Sequence, residues 1–235
     1  MSAWKAKRFW SVAVAQPCEG GFTVRLDARE VKTPARQLLV VPTLQMAQAI
    51  ALEWDAQQGL VKPDSMPFTR AANSALDKVG PQFGIVATGL AAYGETDLLC
   101  YRATGPQALI DRQTVGWNPL LEWAADALNA PLLCVAGVMH IAQPPASLAL
   151  LSGLVRGFTP FQLAAVHDLV AISGSLVLAL AVTRGKLTDD QAWQLSRIDE
   201  TWQAEQWGID DDAAVLEAFK KTAFEQAARF YGLCG

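Results

Sequence analysis

Histidine and closely paired cysteines are scarce in this chain of 235 residues, and their scarcity limits the chemistry that its side chains can support. It has two histidines and four cysteines, and no two cysteines show the CxxC spacing. A structural zinc site needs four such ligands, usually in closely spaced pairs. We therefore expect no metal site, and isolated cysteines of this kind are typical of free thiols in a reducing compartment.

The sequence also lacks the common catalytic motifs. It has no GxxxxGK[ST] phosphate loop, no GxGxxG after a predicted strand and no GxSxG nucleophile elbow. His167 and Asp168 are neighbours, so on a helix they would point about 100° apart and could not orient each other as a triad does. These absences argue against an enzyme and against a bound cofactor.

Neither the charge nor the apolar runs point to nucleic acid or to a lipid bilayer. The formal net charge is −4 and the isoelectric point is about 5.2, whereas nucleic-acid binding needs a basic surface. The longest apolar run, residues 169–182, is shorter than the about 20 residues that span a bilayer. No apolar core of a signal peptide follows the basic N-terminus. We expect a cytoplasmic monomer that binds neither nucleic acid nor membrane.

The hydrophobic pattern changes from strand-like to helical near residue 43. Thr43 is a good N-cap, and apolar residues follow it at intervals of three and four. The pattern predicts an α+β fold with two domains: a small N-terminal antiparallel β domain over 1–60 and a larger all-α helical domain over 61–235. The predicted strands are Trp10–Ala15, Phe22–Leu26 and Leu38–Val41. The predicted later helices are 68–79, 82–93, 106–128, 145–158, 161–183, 189–207 and 211–231.

The segment Arg197–Gly208, RIDETWQAEQWG, combines two tryptophans with three carboxylates in a predicted helix. Thr188 and Gln191 have the spacing of a capping box at the start of that helix. If one helix continues through the segment, it has apolar residues on two faces. One face holds Leu195, Ile198 and Trp202. The other holds Trp193, Arg197, Glu200, Ala204 and Trp207. The second face is either buried or available to a partner.

The three carboxylates Asp199, Glu200 and Glu205 allow three interpretations. They could bind a metal or act as acid and base, form a solvated or salt-bridged face, or contact a basic surface on a partner. No histidine accompanies them, and Glu200 and Glu205 lie about 140° apart around a helix. Metal binding or catalysis is therefore the least favoured of the three.

Five further residues are predicted to be structural. Asp97 and Arg102, in TDLLCYR, surround an apolar centre, where an ion pair or a helix cap would hold the β and α parts together. Trp54, Asp55 and Arg70 mix polar and aromatic groups near the proposed domain junction. An enzyme with a carboxylate-lined pocket around Asp97, Arg102 and Glu200 is the alternative.

Seven short blocks, in order over nearly the whole chain, resemble one protein family. They are KRFW (7–10), KTPAR (32–36), EWDAQ (53–57), MPFTRAAN (66–73), TDLLCYRA (96–103), WNPLL (117–121) and the DExWQxExWG pattern (199–208). The family is that of the assembly chaperones of the F-type ATP synthase catalytic head, the mitochondrial F1-complex assembly factor 2 family. Since no targeting peptide is evident, the chain resembles a bacterial, cytoplasmic member; eukaryotic relatives belong in the mitochondrial matrix.

The resemblance implies a function without catalysis. A member binds the free alpha subunit of ATP synthase and covers the surface that later contacts a beta subunit. The family's functional acidic position falls at Glu200, with Asp199 next and Glu205 third, and Trp202 and Trp207 lie beside them. Composition and pattern leave open a helical module that binds some other protein.

Overall fold

The structure is a computed structural model, and it describes residues 7–208 and 210–235. The chain forms two compact units. The first contains the described residues up to 83 together with 159–165 and 229–235, and the second contains 84–158 and the described part of 166–228. An antiparallel sheet followed by helices confirms the predicted α+β class. The expectation that 1–60 and 61–235 are separate domains stays a prediction.

The first unit begins with a three-stranded antiparallel sheet in the order β1-β2-β3. The first two strands form a hairpin in which Ala15 lies opposite Val24. Gly21 is required in this hairpin because a Cβ atom there would clash with the carbonyl oxygen of Val41. The strands are β1 (Ala13–Cys18), β2 (Gly21–Leu26) and β3 (Arg29–Glu30).

Two of the predicted strands differ from the structure. The strand expected from Trp10 begins at Ala13 because the Asp27 carboxylate accepts the backbone N–H groups of Ser11 and Val12. The segment Leu38–Val41 forms no named strand and makes only isolated bridges through its two end residues. Local side-chain acceptors and single bridges of this kind are invisible to a period-2 pattern.

Helix α1 (Leu44–Asp55) closes the core of the first unit against β1 and β2. Its N-cap is Thr43, as predicted, and the Thr43 Oγ1 accepts the Met46 N–H at 3.1 Å. Helix α2 (Pro67–Ser74) continues as a π-helical turn, Ala75–Val79. The carboxylate of Glu53 on α1 accepts the Phe68 and Thr69 N–H groups at the start of α2, each at 2.7 Å. These bonds fix α2 on α1, and burial raises the pKa of Glu53.

Helices also dominate the rest of the chain, together with a two-residue parallel pair, β4 (Tyr101–Arg102) and β5 (Val135–Ala136). Short 3₁₀ turns occupy Pro63–Ser65, Ala92–Glu95 and Leu98–Cys100. The helices are α3 (Phe83–Ala91), α4 (Gln107–Leu128), α5 (Pro145–Arg156), α6 (Pro160–Ser173), α7 (Leu176–Thr183), α8 (Asp189–Ser196), α9 (Ile198–Trp207) and α10 (Asp211–Gly232). None of the described helices is both long and apolar enough to cross a bilayer.

Two helices predicted as continuous are each divided. The span 161–183 breaks into α6 and α7 at Gly174, whose φ of +74° suits glycine, and the Ser175 side chain then caps α7. The span 189–207 breaks at Arg197, where the backbone leaves the helical region. The capping box of Thr188 and Gln191 is confirmed. The predicted second apolar face is not formed, because the break separates its residues: Trp193 is 5% exposed, whereas Trp207 is 81% exposed.

A completely buried carboxylate, Asp97, organises the centre of the second unit. It accepts hydrogen bonds from the Leu99 N–H at 3.1 Å, the Ser175 hydroxyl at 2.7 Å and the Val177 N–H at 3.0 Å. Burial raises the pKa of Asp97, and these donors oppose that rise. Asp97 is therefore a cap shared by a 3₁₀ turn and α7.

The ion pair considered between Asp97 and Arg102 is replaced by other contacts. Arg102 donates to the carbonyl oxygens of Leu99 and Gln113, at 2.9 and 3.0 Å, and its guanidinium lies over the Trp117 ring. These partners and those of Asp97 all belong to the second unit. The cap that the sequence allowed is therefore present at Asp97, the ion pair is not formed, and a role of the two residues in joining the β and α parts stays a prediction.

The substitution Asp97→Ala is expected to reduce the free energy of unfolding by about 3 kcal/mol or more, because three buried donors lose their acceptor. Urea unfolding followed by circular dichroism measures the change. The matched control is Asp126→Ala, an exposed aspartate on α4 that should change stability little. Equal effects of the two substitutions would contradict the role of Asp97.

Candidate functional site

Helix α9, which carries the five predicted partner-binding residues, is fixed to α4 by polar contacts. The Gln113 side-chain amide donates to the Asp199 carboxylate at 2.7 Å. The Arg112 guanidinium pairs with both oxygens of Glu205, at 2.8 and 2.7 Å. Bidentate pairs of this type fix orientation as well as distance. Asp199 and Glu205 are thus engaged within the protein.

The two helices approach closely at Gly116. A Cβ atom at that position would lie 2.8 Å from Ile198 Cδ1 on α9 and 2.9 Å from Leu195 Cδ2 on α8, so the ends of these two side chains would have to move to admit a larger residue. Beside this contact the Arg112 guanidinium lies 4.8 Å from the centroid of the Trp202 ring, a cation–π distance. Trp202 therefore also belongs to the anchored side of α9.

Glu200 and Trp207 lie on the other side of α9. They are seven residues apart, so they differ by about 20° around the helix axis, and each is about 140–160° from Trp202. The Glu200 side chain is 54% exposed and pairs with Arg197 at 2.9 Å. Arg197 itself is nearly buried and donates to the Ile172 carbonyl oxygen. Glu200 and Trp207 thus lie on the solvent side of α9, whereas Glu205, which is also partly exposed, is held by Arg112.

The first half of α10 adds apolar residues that the sequence analysis missed. Val215, Leu216 and Phe219 are 72%, 54% and 68% exposed and share one side of the helix. The core-facing residues of α10, such as Phe224, come later in the helix. Contiguous exposed apolar groups are unusual on a monomer and mark interaction sites. The sequence did carry a signal for their exposure: the apolar residues at the start of the helix lie on a different side from Phe224.

Charge along this part of the chain has one sign. Residues 198–217 contain seven carboxylates and no lysine or arginine. We call the exposed residues Glu200 and Trp207 of α9, together with Val215, Leu216 and Phe219 of α10, the acidic–apolar surface, a grouping based on their exposure and on the negative charge of this stretch of chain. Its chemistry suits a partner with apolar side chains next to basic groups.

An open groove of about 620 Å³ lies between α4 and the α8–α9 region. Its walls include Val115, Leu195 and Ile198, and Arg112 lies at its edge. Val115 is largely exposed. The groove therefore adds exposed apolar groups next to the side of α9 that contacts α4.

The remaining predicted residues, Trp54, Asp55 and Arg70, all lie in the first unit. Trp54 packs edge-to-face on Trp10, with ring centroids 5.3 Å apart. Asp55 pairs with Arg8 at 3.0 Å, and Arg70 contacts Asp64 at 3.2 Å.

A catalytic pocket around Asp97, Arg102 and Glu200 receives no support from this geometry. Asp97 is completely buried among donors, whereas Glu200 faces solvent, so the two do not line one open pocket. Within residues 7–208 and 210–235, no group of three histidine, cysteine or acidic side chains could hold a metal ion.

His167 and Asp168 differ from expectation. The His167 Nδ1 lies 3.0 Å from the Asp168 carboxylate, so the two neighbours do orient each other. This hydrogen bond raises the pKa of His167. Both side chains are more than half exposed, so this is a surface contact, and it is an ion pair when His167 is protonated.

Comparison with known proteins places these features in a family. The family profile of the ATP12 chaperone protein matches residues 7–125. The mitochondrial protein atp12 of Schizosaccharomyces pombe is 25% identical, over 90% of this chain and 77% of that protein.

Two solved structures are close to the present one. The crystal structure of Atp12 from Paracoccus denitrificans is 48% identical, with a TM-score of 0.96 over 99% of this chain and all of that chain. A protein from Agrobacterium tumefaciens is 38% identical, with a TM-score of 0.94 over 97% of this chain and 86% of that chain.

Fold, surface and matches together define the class of protein as a chaperone. The chain belongs to the ATP12 chaperone family. This membership confirms the resemblance to assembly chaperones of ATP synthase that the seven sequence blocks indicated.

The hydrogen bond from Arg112 holds the pKa of the Glu205 carboxyl below its usual range. A lowered folded-state pKa means that the pair stabilises the protein above the pKa of Glu in the unfolded chain, and that this contribution is lost as pH falls through the lowered value. We expect Arg112→Ala to return the pKa of Glu205 to the ordinary range, measured by NMR titration of the side-chain carboxyl carbon. Arg184→Ala, an exposed arginine, is the control, and an unchanged Glu205 titration in Arg112→Ala would refute the pairing.

Proposed function

We propose that this protein is a non-enzymatic chaperone that binds the free alpha subunit of the F-type ATP synthase and shields the surface that later contacts a beta subunit. The observation that carries the proposal is the acidic–apolar surface, supported by membership of the ATP12 chaperone family. Exposed apolar groups on a stable fold are what such shielding requires. We place this activity in the bacterial cytoplasm, with the chaperone acting as a monomer.

The physical need for shielding comes from the nature of obligate interfaces. Such interfaces are large and more apolar than ordinary protein surface, so a subunit that has not yet met its partner is prone to aggregate. The apolar members of the acidic–apolar surface, Trp207, Val215, Leu216 and Phe219, can cover such an interface. The client's true partner then displaces the chaperone by burying more surface.

Charge gives the contact its direction. The carboxylates along 198–217 repel an acidic client and attract one with basic groups around an apolar patch. Glu200 is suited to the contact because Arg197, its ion-pair partner among the described residues, also donates to the Ile172 carbonyl oxygen. The Glu200 carboxylate can turn to a basic group on the client while Arg197 keeps this second bond.

Charge reversal at Glu200 tests the acidic part of the surface. We expect Glu200→Lys to weaken binding of purified alpha subunit at least about tenfold, since a like charge then faces the client's basic group. Isothermal titration calorimetry gives the Kd. Glu122→Lys, an exposed glutamate on α4 with the same change in net charge, is the control. Equal affinities of folded Glu200→Lys and wild type would remove Glu200 from the site.

The apolar part of the surface is tested separately. The double substitution Trp207→Ser/Phe219→Ser is expected to weaken alpha-subunit binding by more than about tenfold, because large side chains at interface centres carry most of the binding energy. Leu52→Ser/Ile85→Ser removes two comparably exposed apolar residues elsewhere and should leave the Kd unchanged. A similar loss in both double variants would show that the effect is not specific to this surface.

A further inference from the structure

The first unit contains a cleft of about 800 Å³ that the proposed function does not use. Three of the sequence blocks that carry the family resemblance meet there: KTPAR contributes Lys32 and Pro34, EWDAQ contributes Trp54, and MPFTRAAN contributes Met66 and Arg70. The floor is apolar, because Trp54, Met66 and Pro34 line it. We call this feature the cationic cleft, after the charges described next.

The walls of the cleft carry an excess of positive charge in a chain whose net charge is negative. Lys32, Arg70 and Lys78 line it, against the single carboxylate of Asp77. Arg70 pairs with the fully exposed Asp64 at 3.2 Å, and a surface pair of this kind contributes little. The Arg70 charge also acts to lower the pKa of the Glu53 carboxyl, against the larger effect of burial. In the part of the chain that the structure describes, neither lysine forms an ion pair. These cations are available to a ligand.

Hydrogen bonds among the residues around the cleft hold it open before a ligand binds. The Asp77 Oδ2 accepts the Ala35 N–H at 2.9 Å, which joins the end of α2's π-helical continuation to the KTPAR loop. Glu53 fixes the start of α2 on α1 through the Phe68 and Thr69 N–H groups. A site that is held open before binding loses less entropy when it is filled.

Hydrogen bonding in the wall favours a polypeptide over a simple anion. The Asn73 Oδ1 and the Asp77 Oδ1 are buried acceptors without a donor in this structure, and each such group carries an energetic cost. An inorganic anion brings mainly further acceptors. A peptide brings backbone N–H donors, which the Asn73 side chain can accept if it rotates toward the cleft, as well as carboxylates for the cations and apolar side chains for the floor.

We infer that the cationic cleft binds an extended segment of the client polypeptide in which carboxylates alternate with apolar side chains. The source of the bound segment, a client polypeptide, rests on the proposed chaperone function. The cleft itself carries charge of the opposite sign to the acidic–apolar surface. A peptide probe therefore tests the cleft without the alpha subunit, so failure here is distinguishable from failure of alpha-subunit binding.

The probe is the blocked hexapeptide N-acetyl-Glu-Leu-Glu-Leu-Glu-Leu-amide, titrated into the full ¹⁵N-labelled chain. The Trp54 indole N–H resonance, assigned with Trp54→Phe, reports on the cleft floor. We expect this resonance to shift in a saturable way, and the same peptide with lysine in place of glutamate to leave it unmoved. No Trp54 shift with the acidic peptide, or equal shifts with both peptides, would overturn the inference. An equal response to inorganic phosphate would show a simple anion site and would overturn it as well.

Charge reversal locates the binding. Lys32→Glu/Lys78→Glu is expected to weaken the acidic peptide at least about tenfold, since two attractive charges become repulsive. Lys186→Glu/Lys220→Glu makes the same change in net charge on exposed residues outside the cleft and should leave the affinity unchanged. The amide spectra of both variants check that the fold is kept. Unchanged binding in folded Lys32→Glu/Lys78→Glu contradicts the inference.

Discussion

The attachment of α9 to α4 determines which residues the second unit can offer to a partner. Gly116 allows the two helices to approach, Arg112 binds Glu205 and covers Trp202, and Gln113 binds Asp199. Asp199, Trp202 and Glu205 lie within about 120° of the helix circumference. Glu200 and Trp207 lie on the opposite side of α9 and are exposed. The geometry therefore separates residues that hold the surface from residues that form it.

Sequence periodicity was sufficient for much of the fold. Thr43 and the Thr188–Gln191 pair start their helices as their capping patterns predict, and five further predicted helices end within two residues of the observed ones when the π turn is counted with α2. The break at Gly174 was missed because the apolar run continues through it. The Ser175 side chain that caps α7 also donates to Asp97, which lies 78 positions earlier in the chain. A local sequence pattern cannot show a partner at that distance. Long-range hydrogen bonds, rather than weak propensity, explain the missed boundary.

The candidate site was predictable in composition but not in orientation. The sequence identified the acidic and aromatic segment, yet it placed Trp193 and Trp207 on one face, and the break at Arg197 separates them. Glu205 and Asp199 bind Arg112 and Gln113 of α4, which lie about 90 positions earlier in the chain. The sequence predicted the helix 211–231 but not the exposure of its first apolar residues, because periodicity alone does not show which face is buried. Family resemblance located the segment, and tertiary contacts decide the part each residue plays.

The two proposed sites, which carry opposite charge, would suit a chaperone that has to release its client. A single surface strong enough to protect an obligate interface would also resist displacement by the true partner. If the acidic–apolar surface and the cationic cleft each bind modestly, the linked contacts hold the client more tightly than either alone. An arriving subunit that displaces one contact leaves the client held by the other contact alone, which is weaker than the two together. Release would then proceed in two small steps. Affinity divided in this way reconciles protection of the client with its transfer.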